Sequence, residues 1–390
     1  MRIPGKLKNF LKRPKRKQVK EMKMELESRL LEHVRESFSP GSHYKGVWMR
    51  DAMYMAKALI RGGYLEEAKN IIDETGKYQL SDSSVKVRRG RGLKEKASSP
   101  LDAEFAPKEF LSFNAGSFPT TAFQGGTLEF YGLNADIDST ALWIICACAY
   151  VEKSRDIEFG KLVENKIQDA IGYLQRRDAD CDFLVEQGMN EDWEDCLMRR
   201  GKVSYSNALW FESVNRYASM EKTIGNLEKT THIESLKTKI AGAINEKLWI
   251  GELGYYADYV DGDVSERLSL DTSLMPLFGI AGGEKSKSLL DNIECALWTD
   301  KGSLTLYPPY GKAVPDSLYQ DSNVWPWICG LEASARAKAG DVAGAKEILE
   351  RVYKYREYEW VSNKGKGARP FFTGMASLLE ACYDIEESES

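Results

Sequence analysis

The sequence predicts an all-α fold in which helical hairpins close into a double ring. Apolar residues recur three and four apart along most of the chain, the period of an amphipathic helix. The periodic stretches come in pairs joined by short turns, such as the one at Gly62-Gly63. Strand-like alternation is rare, and irregular spacing between the pairs excludes a short-period solenoid.

Taken in order, the first element is "MKMELESRLLEHV". "MRDAMYMAKALIRGG" and "YLEEAKNIIDETGKY" form a helix, a glycine stop and a second helix. "DSTALWIICACAYVEKSRD" precedes "FGKLVENKIQDAIGYLQRR", and "SYSNALWFESVNRYASM" precedes "HIESLKTKIAGAINEKLW". "SLDTSLMPLFGIAGG" leads into "EKSKSLLDNIECALW", "DSNVWPWICGLEASARAKAGD" leads into "VAGAKEILERVYKYR", and "RPFFTGMASLLEACYDI" closes the chain. From Lys20 onward these make twelve segments, or six hairpins. Inner helices of such a ring carry apolar and small residues, and loops gathered at one end build a pocket. "GELGYYADYVDGDV" reads as a short β-hairpin around Asp261-Gly262. Leu80 to Gly116 has weak periodicity and reads as a long loop holding "KVRRGRGLKEK".

Composition narrows the function classes. The 390 residues include 43% hydrophobic and 11% aromatic residues, enough for one large core. We expect residues 20–390 to form a single domain behind a basic tail, residues 1–19. The tail region "MRIPGKLKNFLKRPKRKQVK" carries nine Lys/Arg and no acid, so it reads as a solvated tail or as a patch for an anionic surface. No apolar signal-peptide core follows it, and no run of about 18 apolar residues predicts a membrane span. A net charge of −5 argues against nucleic acid as a partner. Seven cysteines without a C-x-x-C motif read as reduced thiols, hence a cytoplasmic protein. Three histidines without metal spacing make a His-based zinc site improbable, and no metal or other cofactor is expected.

Five stretches carry chemistry. In "GVWMRDAMY", Arg50 offers a planar fork of donors, Asp51 accepts from hydroxyls, and Trp48 offers a face for a sugar ring. A local ion pair at a helix start explains the same residues equally well. In "NADIDSTALWII", Asp138 reads as the N-cap of the following helix, and Asp136 is unexplained. "NEDWEDCLMRRGK" crowds Glu191, Asp192, Glu194 and Asp195 around Trp193. Like charges and apolar burial raise a carboxyl pKa, as a general acid requires, but a solvated acidic turn would look the same. "YQDSNVWPWICG" sets Trp325 and Trp327 at a helix entrance, for sugar stacking or for core packing. In "REYEWVSNKGKGARPFF", Glu359 is either a partner for that acid or the charged end of an amphipathic helix.

These motifs, in this order, resemble those of the six-hairpin glycosidases with an (α/α)6 barrel: glucoamylases, the amylo-α-1,6-glucosidases of glycogen debranching, trehalases and neutral invertases. "VWMRDAMY" is similar to their W-x-R-D-x-x-Y segment, which implies that Arg50 and Asp51 bind sugar hydroxyls. "DWEDCL" is similar to the D-W-N-D-C-L of cellobiose-type phosphorylases and to the W-M-D of debranching enzymes, which places the acid at Asp195. The W-E-E of glucoamylases would place it at Glu194, and Asp195 matches more of the motif. "YQDSNVWPW" resembles Y-x-x-G-x-x-W-P-W but lacks the glycine. "YEWVSNKGKGARPFFTG" looks like the segment whose glutamate is the base, here Glu359.

The reading that follows is an inverting glycoside hydrolase acting on an α-glucoside of the oligosaccharide or glycogen type. Asp195 would be the acid and Glu359 the base. Trp48, Arg50, Asp51, Trp193, Trp325 and Trp327 would shape the sugar pocket, with Asp192 and Glu194 stabilising developing positive charge. Other reactions on the same barrel remain alternatives: phosphorolysis, action on sucrose or trehalose, or epimerisation, against which the scarcity of histidine argues. A non-catalytic carbohydrate-binding barrel would keep the tryptophans and need neither carboxylate.

Overall fold

A computed structural model describes residues 16–81, 86–89, 107–311 and 319–390 of the chain. All twelve expected helical segments are present. They are α1 (Arg16–Val34), α2 (Met49–Gly62), α3 (Leu65–Gly76), α5 (Ile137–Ser154), α6 (Ile157–Arg176), α7 (Ser204–Ile224), α8 (Leu227–Lys247), α9 (Leu274–Leu277), α10 (Gly283–Leu297), α11 (Pro326–Lys338), α12 (Val342–Tyr353) and α13 (Phe372–Ser388). A 3-10 turn, Leu270–Ser273, runs directly into α9. The short helix α4 (Lys108–Asn114) and the strand Val87–Arg89 lie within the stretch read as a loop, whose residues 82–85 and 90–106 fall outside the described ones. The basic tail also falls largely outside them, and α1 already begins at Arg16, with Val19 buried.

The ring closes by packing between inner helices. α2 packs on α5, α5 on α7, α7 on the 3-10 turn and α9, these on α11, α11 on α13, and α13 on α2. α3, α6, α8, α10 and α12 each back the inner element that precedes them, and α1 backs α13. The first helix is therefore the outer partner of the last. Sequence explains which helix goes where. α5 is apolar nearly all round and is buried from Ile137 to Cys148, as an element covered on every side must be. α6 buries Phe159, Val163, Ile167, Ala170 and Leu174, a single stripe that suits an outer helix. Gly330 lets α11 approach α13 closely, since a Cβ there would lie 2.7 Å from the Ser377 carbonyl carbon.

Short turns join five of the helix pairs at one end of the ring, α1 and α13 pairing without one, and long loops enter the inner elements at the other end. Backbone pairing stitches those loops together all the way round. Val47–Trp48 pairs with Thr121–Ala122, and the Ile137 amide donates to the Glu191 carbonyl at 3.1 Å. Lys202–Val203 pairs with Tyr259–Val260, and Leu268–Ser269 with Leu306–Tyr307. Val324 bridges Val361, and Gly41 bridges Phe371. The predicted hairpin is there too: Tyr259–Asp261 pairs with Asp263–Val264 around Gly262.

The missing glycine of the "YQDSNVWPW" segment has a structural counterpart. Ser322 holds its place at φ 59°, in the left-handed region that glycine enters freely. Ser322→Gly is expected to keep or slightly raise stability. Ser322→Val should lower it by about 1–2 kcal/mol, because a branched side chain resists that conformation. Thermal unfolding of both variants checks this; equal melting temperatures would contradict it.

Candidate active site

The six long loops deliver their polar residues to one end of the ring. From the start of α2 come Arg50 and Asp51. The Thr373 hydroxyl donates to Asp51 at 2.5 Å, and Arg50 Nε lies 3.3 Å from Asp138 Oδ2. Asp138 is therefore not the N-cap expected of it. Asp136 occupies the cap position of α5 and accepts from Thr120 at 2.8 Å, while Asp138 sits one residue inside the helix and faces Arg50. Burial pushes Asp138 up to about 6, opposed by Arg50.

Glu359 is not on a helix. α12 ends at Tyr353, and Glu359 stands just before the strand Trp360–Val361, buried. Its Oε1 accepts from the hydroxyls of Tyr44 and Tyr319, and its Oε2 accepts from the Ala368 amide at 2.7 Å. Burial raises both tyrosine pKa values, and the neighbouring carboxylate adds to the effect, so both remain donors.

Asp195 stands half-buried in the loop between α6 and α7. Its Oδ1 accepts from Gln320 Nε2 at 3.0 Å, and Gln320 also accepts from the Cys196 amide at 2.7 Å. Burial lifts the Asp195 carboxyl above the ordinary aspartate range, with Arg50 opposing. Gln320 and Tyr319 are consecutive residues. Two adjacent loop positions thus hold the two carboxylates, Tyr319 holding Glu359 and Gln320 holding Asp195.

The rest of the acidic stretch is buried and not solvated. Glu191 is buried against Arg177. Asp192 and Glu194, expected to stabilise charge on the substrate, turn instead onto the buried Arg199. The tryptophans divide. Trp48 is half-buried, packed edge-on against Tyr44 at 4.9 Å and tilted against Tyr131 at 5.7 Å. Trp193, Trp325 and Trp327 are buried, with Trp193 edge-on to Trp325 at 5.8 Å and to Trp327 at 5.0 Å. They brace the loops as core residues, where sugar stacking was expected.

Sequence reading left Tyr44, Tyr319, Gln320 and Arg199 without roles. Tyr319 and Gln320 open the quoted "YQDSNVWPW" segment, but their partners lie far away in the chain. Among the described residues, one acidic group, Asp178, Asp180 and Asp182, is compact enough to share a cation. The Lys202 ammonium already supplies positive charge there, 2.5 Å from Asp180 and 2.9 Å from Asp182.

Several solved structures with this architecture carry glycosidase names. A glutamate-to-alanine variant of a glycosidase superposes with a TM-score of 0.70 at 14% identity, over 95% of this chain and 98% of that one. The fold is that of the six-hairpin glycosidases. A second glutamate-to-alanine variant, in complex with glucose, gives 0.69 at 14% identity over the same shares of the two chains. A bacterial glucoamylase complexed with acarbose gives 0.62 at 14% identity, over 87% of this chain and 49% of that one. No protein-family model and no curated protein matches the sequence.

Buried acids in this six-hairpin ring have a readable pH signature. Burial pushes Asp258 up to about 6, opposed by Arg199. An unfolded aspartate titrates near 3.9. Between about pH 4 and 6 the folded state therefore keeps a proton that the unfolded chain has released, and stability falls as pH rises through that window. Asp258→Asn removes this titration. Its stability relative to the parent, measured by urea unfolding, is expected to improve from about pH 4.5 to 7.5. A difference independent of pH would contradict the assignment.

Proposed function

We propose that this chain is an inverting glycoside hydrolase acting on an α-glucoside. The observation that carries the reading is the pairing of Asp195 and Glu359 through the adjacent residues Gln320 and Tyr319. One carboxyl has a raised pKa. The other accepts hydrogen bonds at both oxygens and is fixed by them. That is the division of labour an acid–base pair needs.

In this mechanism Asp195 protonates the glycosidic oxygen as the bond to the anomeric carbon breaks. Glu359 takes a proton from a water that attacks the opposite face of the ring. Inversion requires the two carboxyls to stand about 6.5–9.5 Å apart, to admit that water. Tyr44 and Tyr319 hold Glu359 by their hydroxyls. Arg50 donates to sugar hydroxyls, Asp51 accepts from them, and Trp48 covers one ring face. Resemblance to glucoamylase-type motifs supports an α-glucosidic bond. The seven free thiols suit a reducing compartment and support a cytoplasmic location. A carbohydrate-binding barrel without catalysis has no use for a buried, three-donor glutamate.

Released glucose assayed over a panel of maltose, isomaltose, trehalose and sucrose is expected to identify a substrate. On that substrate, Asp195→Asn and Glu359→Gln should each lower kcat by about 10²–10⁴-fold, with KM changed less than about threefold. Wild-type turnover in either variant would sink the assignment. The raised carboxyl of Asp195 predicts that the alkaline limb of kcat/KM lies above the usual carboxylate range; a limb near 4 would contradict it.

A further inference from the structure

Directly beneath the acid lies a cluster that the proposed reaction does not use. Arg199 is 1% exposed, and four carboxylates converge on it. Its Nε lies 2.9 Å from Asp192, and its Nη1 lies 2.8 Å from Glu194, 3.1 Å from Asp258 and 2.8 Å from Asp271. All four acids are buried. Among the described residues no other cation lies within ion-pair distance of them. If all ionised, they would leave three negative charges uncompensated in a dry site, which is costly. Glu194 relieves part of this. Burial raises its pKa well above the ordinary range, Arg199 opposing, and apart from that ion pair neither of its oxygens has a hydrogen-bond partner.

The cluster is also tied to the backbone that carries the acid. Asp192 Oδ1 accepts from the Glu194 amide at 2.9 Å, which closes the turn. Asp192 Oδ2 accepts from Gln187 at 2.8 Å besides Arg199. Trp193 donates its indole N–H to Asp271 Oδ2 at 3.0 Å, the same oxygen that meets Arg199. The guanidinium lies 5.9 Å from the ring centres of both Trp193 and Tyr205. Thus Asp192, Trp193 and Glu194, the three residues before Asp195, are all fastened to one guanidinium or to a carboxylate bound by it. Asp195 itself points away from it, to Gln320.

We propose that Arg199 is the positioning residue of the proton donor: by fixing Asp192, Trp193 and Glu194 it sets where the Asp195 carboxyl stands. The proposal rests on the reading of Asp195 as the acid. It needs arginine rather than any cation, because Nε and Nη1 of one rigid planar group reach Asp192 on one side and Asp258 and Asp271 on the other. A lysine at this position keeps the charge and releases part of the turn. A displacement of about 1 Å in a reacting group lowers turnover about 10²-fold.

The test is Arg199→Lys, with kcat and KM measured on the substrate found above and a crystal structure of the variant. The expected result is a kcat lower by about 100-fold with KM within about threefold of the parent, and an Asp195 carboxyl displaced out of hydrogen-bond distance of Gln320. If Arg199→Lys does not fold, Arg199→Lys combined with Glu194→Gln, which removes one of the four clustered carboxylates, is expected to fold and to give the same result. A folded variant with parental kcat, a loss confined to KM, or an Asp195–Gln320 contact kept at 3.0 Å would each overturn the proposal. If instead Asp195→Asn keeps full activity, the reading of the acid fails. The position of the Asp195 carboxyl in the crystal then still decides the positioning claim.

Discussion

The closed belt of backbone pairing around one end of the ring is the constraint on which the rest depends. Each long loop is tied to the next, from Val47 with Ala122 round to Gly41 with Phe371. Loops of this length would otherwise be mobile and their side chains unspecified. Just past the belt each inner element begins, so the N-termini of the inner helices gather at the same end. Helix N-termini favour carboxylates. Asp51, Asp138 and Asp271 all sit in the first turn of an inner element. The concentration of acid at this end is thus a property of the ring's polarity before it is a property of any reaction.

Acid gathered in a buried place needs compensation, and two arginines supply it in different ways. Arg50 faces Asp138 and also restrains the rise in the Asp195 pKa. Arg199 lies deeper, with four carboxylates within ion-pair distance of its Nε and Nη1. In the "NEDWEDCLMRRGK" stretch this difference in depth favours Asp195 over Glu194 as the proposed acid. Glu194 is spent on Arg199, whereas Asp195 is partly exposed and reaches the loop that also holds Glu359.

Much of the fold was legible because helical periodicity is local. α5 and α6 announce their inner and outer places by the width of their apolar faces. The pairing of α1 with α13 was not legible, since nothing in either segment specifies a partner at the other end of the chain. α4 spans only Lys108–Asn114, too short for a period to register. In the site, the types and order of residues pointed to Arg50, Asp51, Asp195 and Glu359, with the resemblance needed to rank them. The roles of Gln320 and Tyr44 depend on partners across the belt: Gln320 meets Asp195, and Tyr44 meets Glu359. Such contacts leave no local signature. The tryptophans misled for a related reason, because an indole that braces loops and one that stacks on sugar are the same letter. Ser322 shows the converse, a departure from a motif whose backbone geometry is nonetheless kept.

The central claim is that Asp195 and Glu359 act from opposite faces of one glycosidic bond. The most direct measurement is the anomeric configuration of the first product, followed by proton NMR within minutes of adding enzyme to an α-glucoside. The account predicts β-glucose that mutarotates afterwards. α-Glucose as the initial product would contradict it.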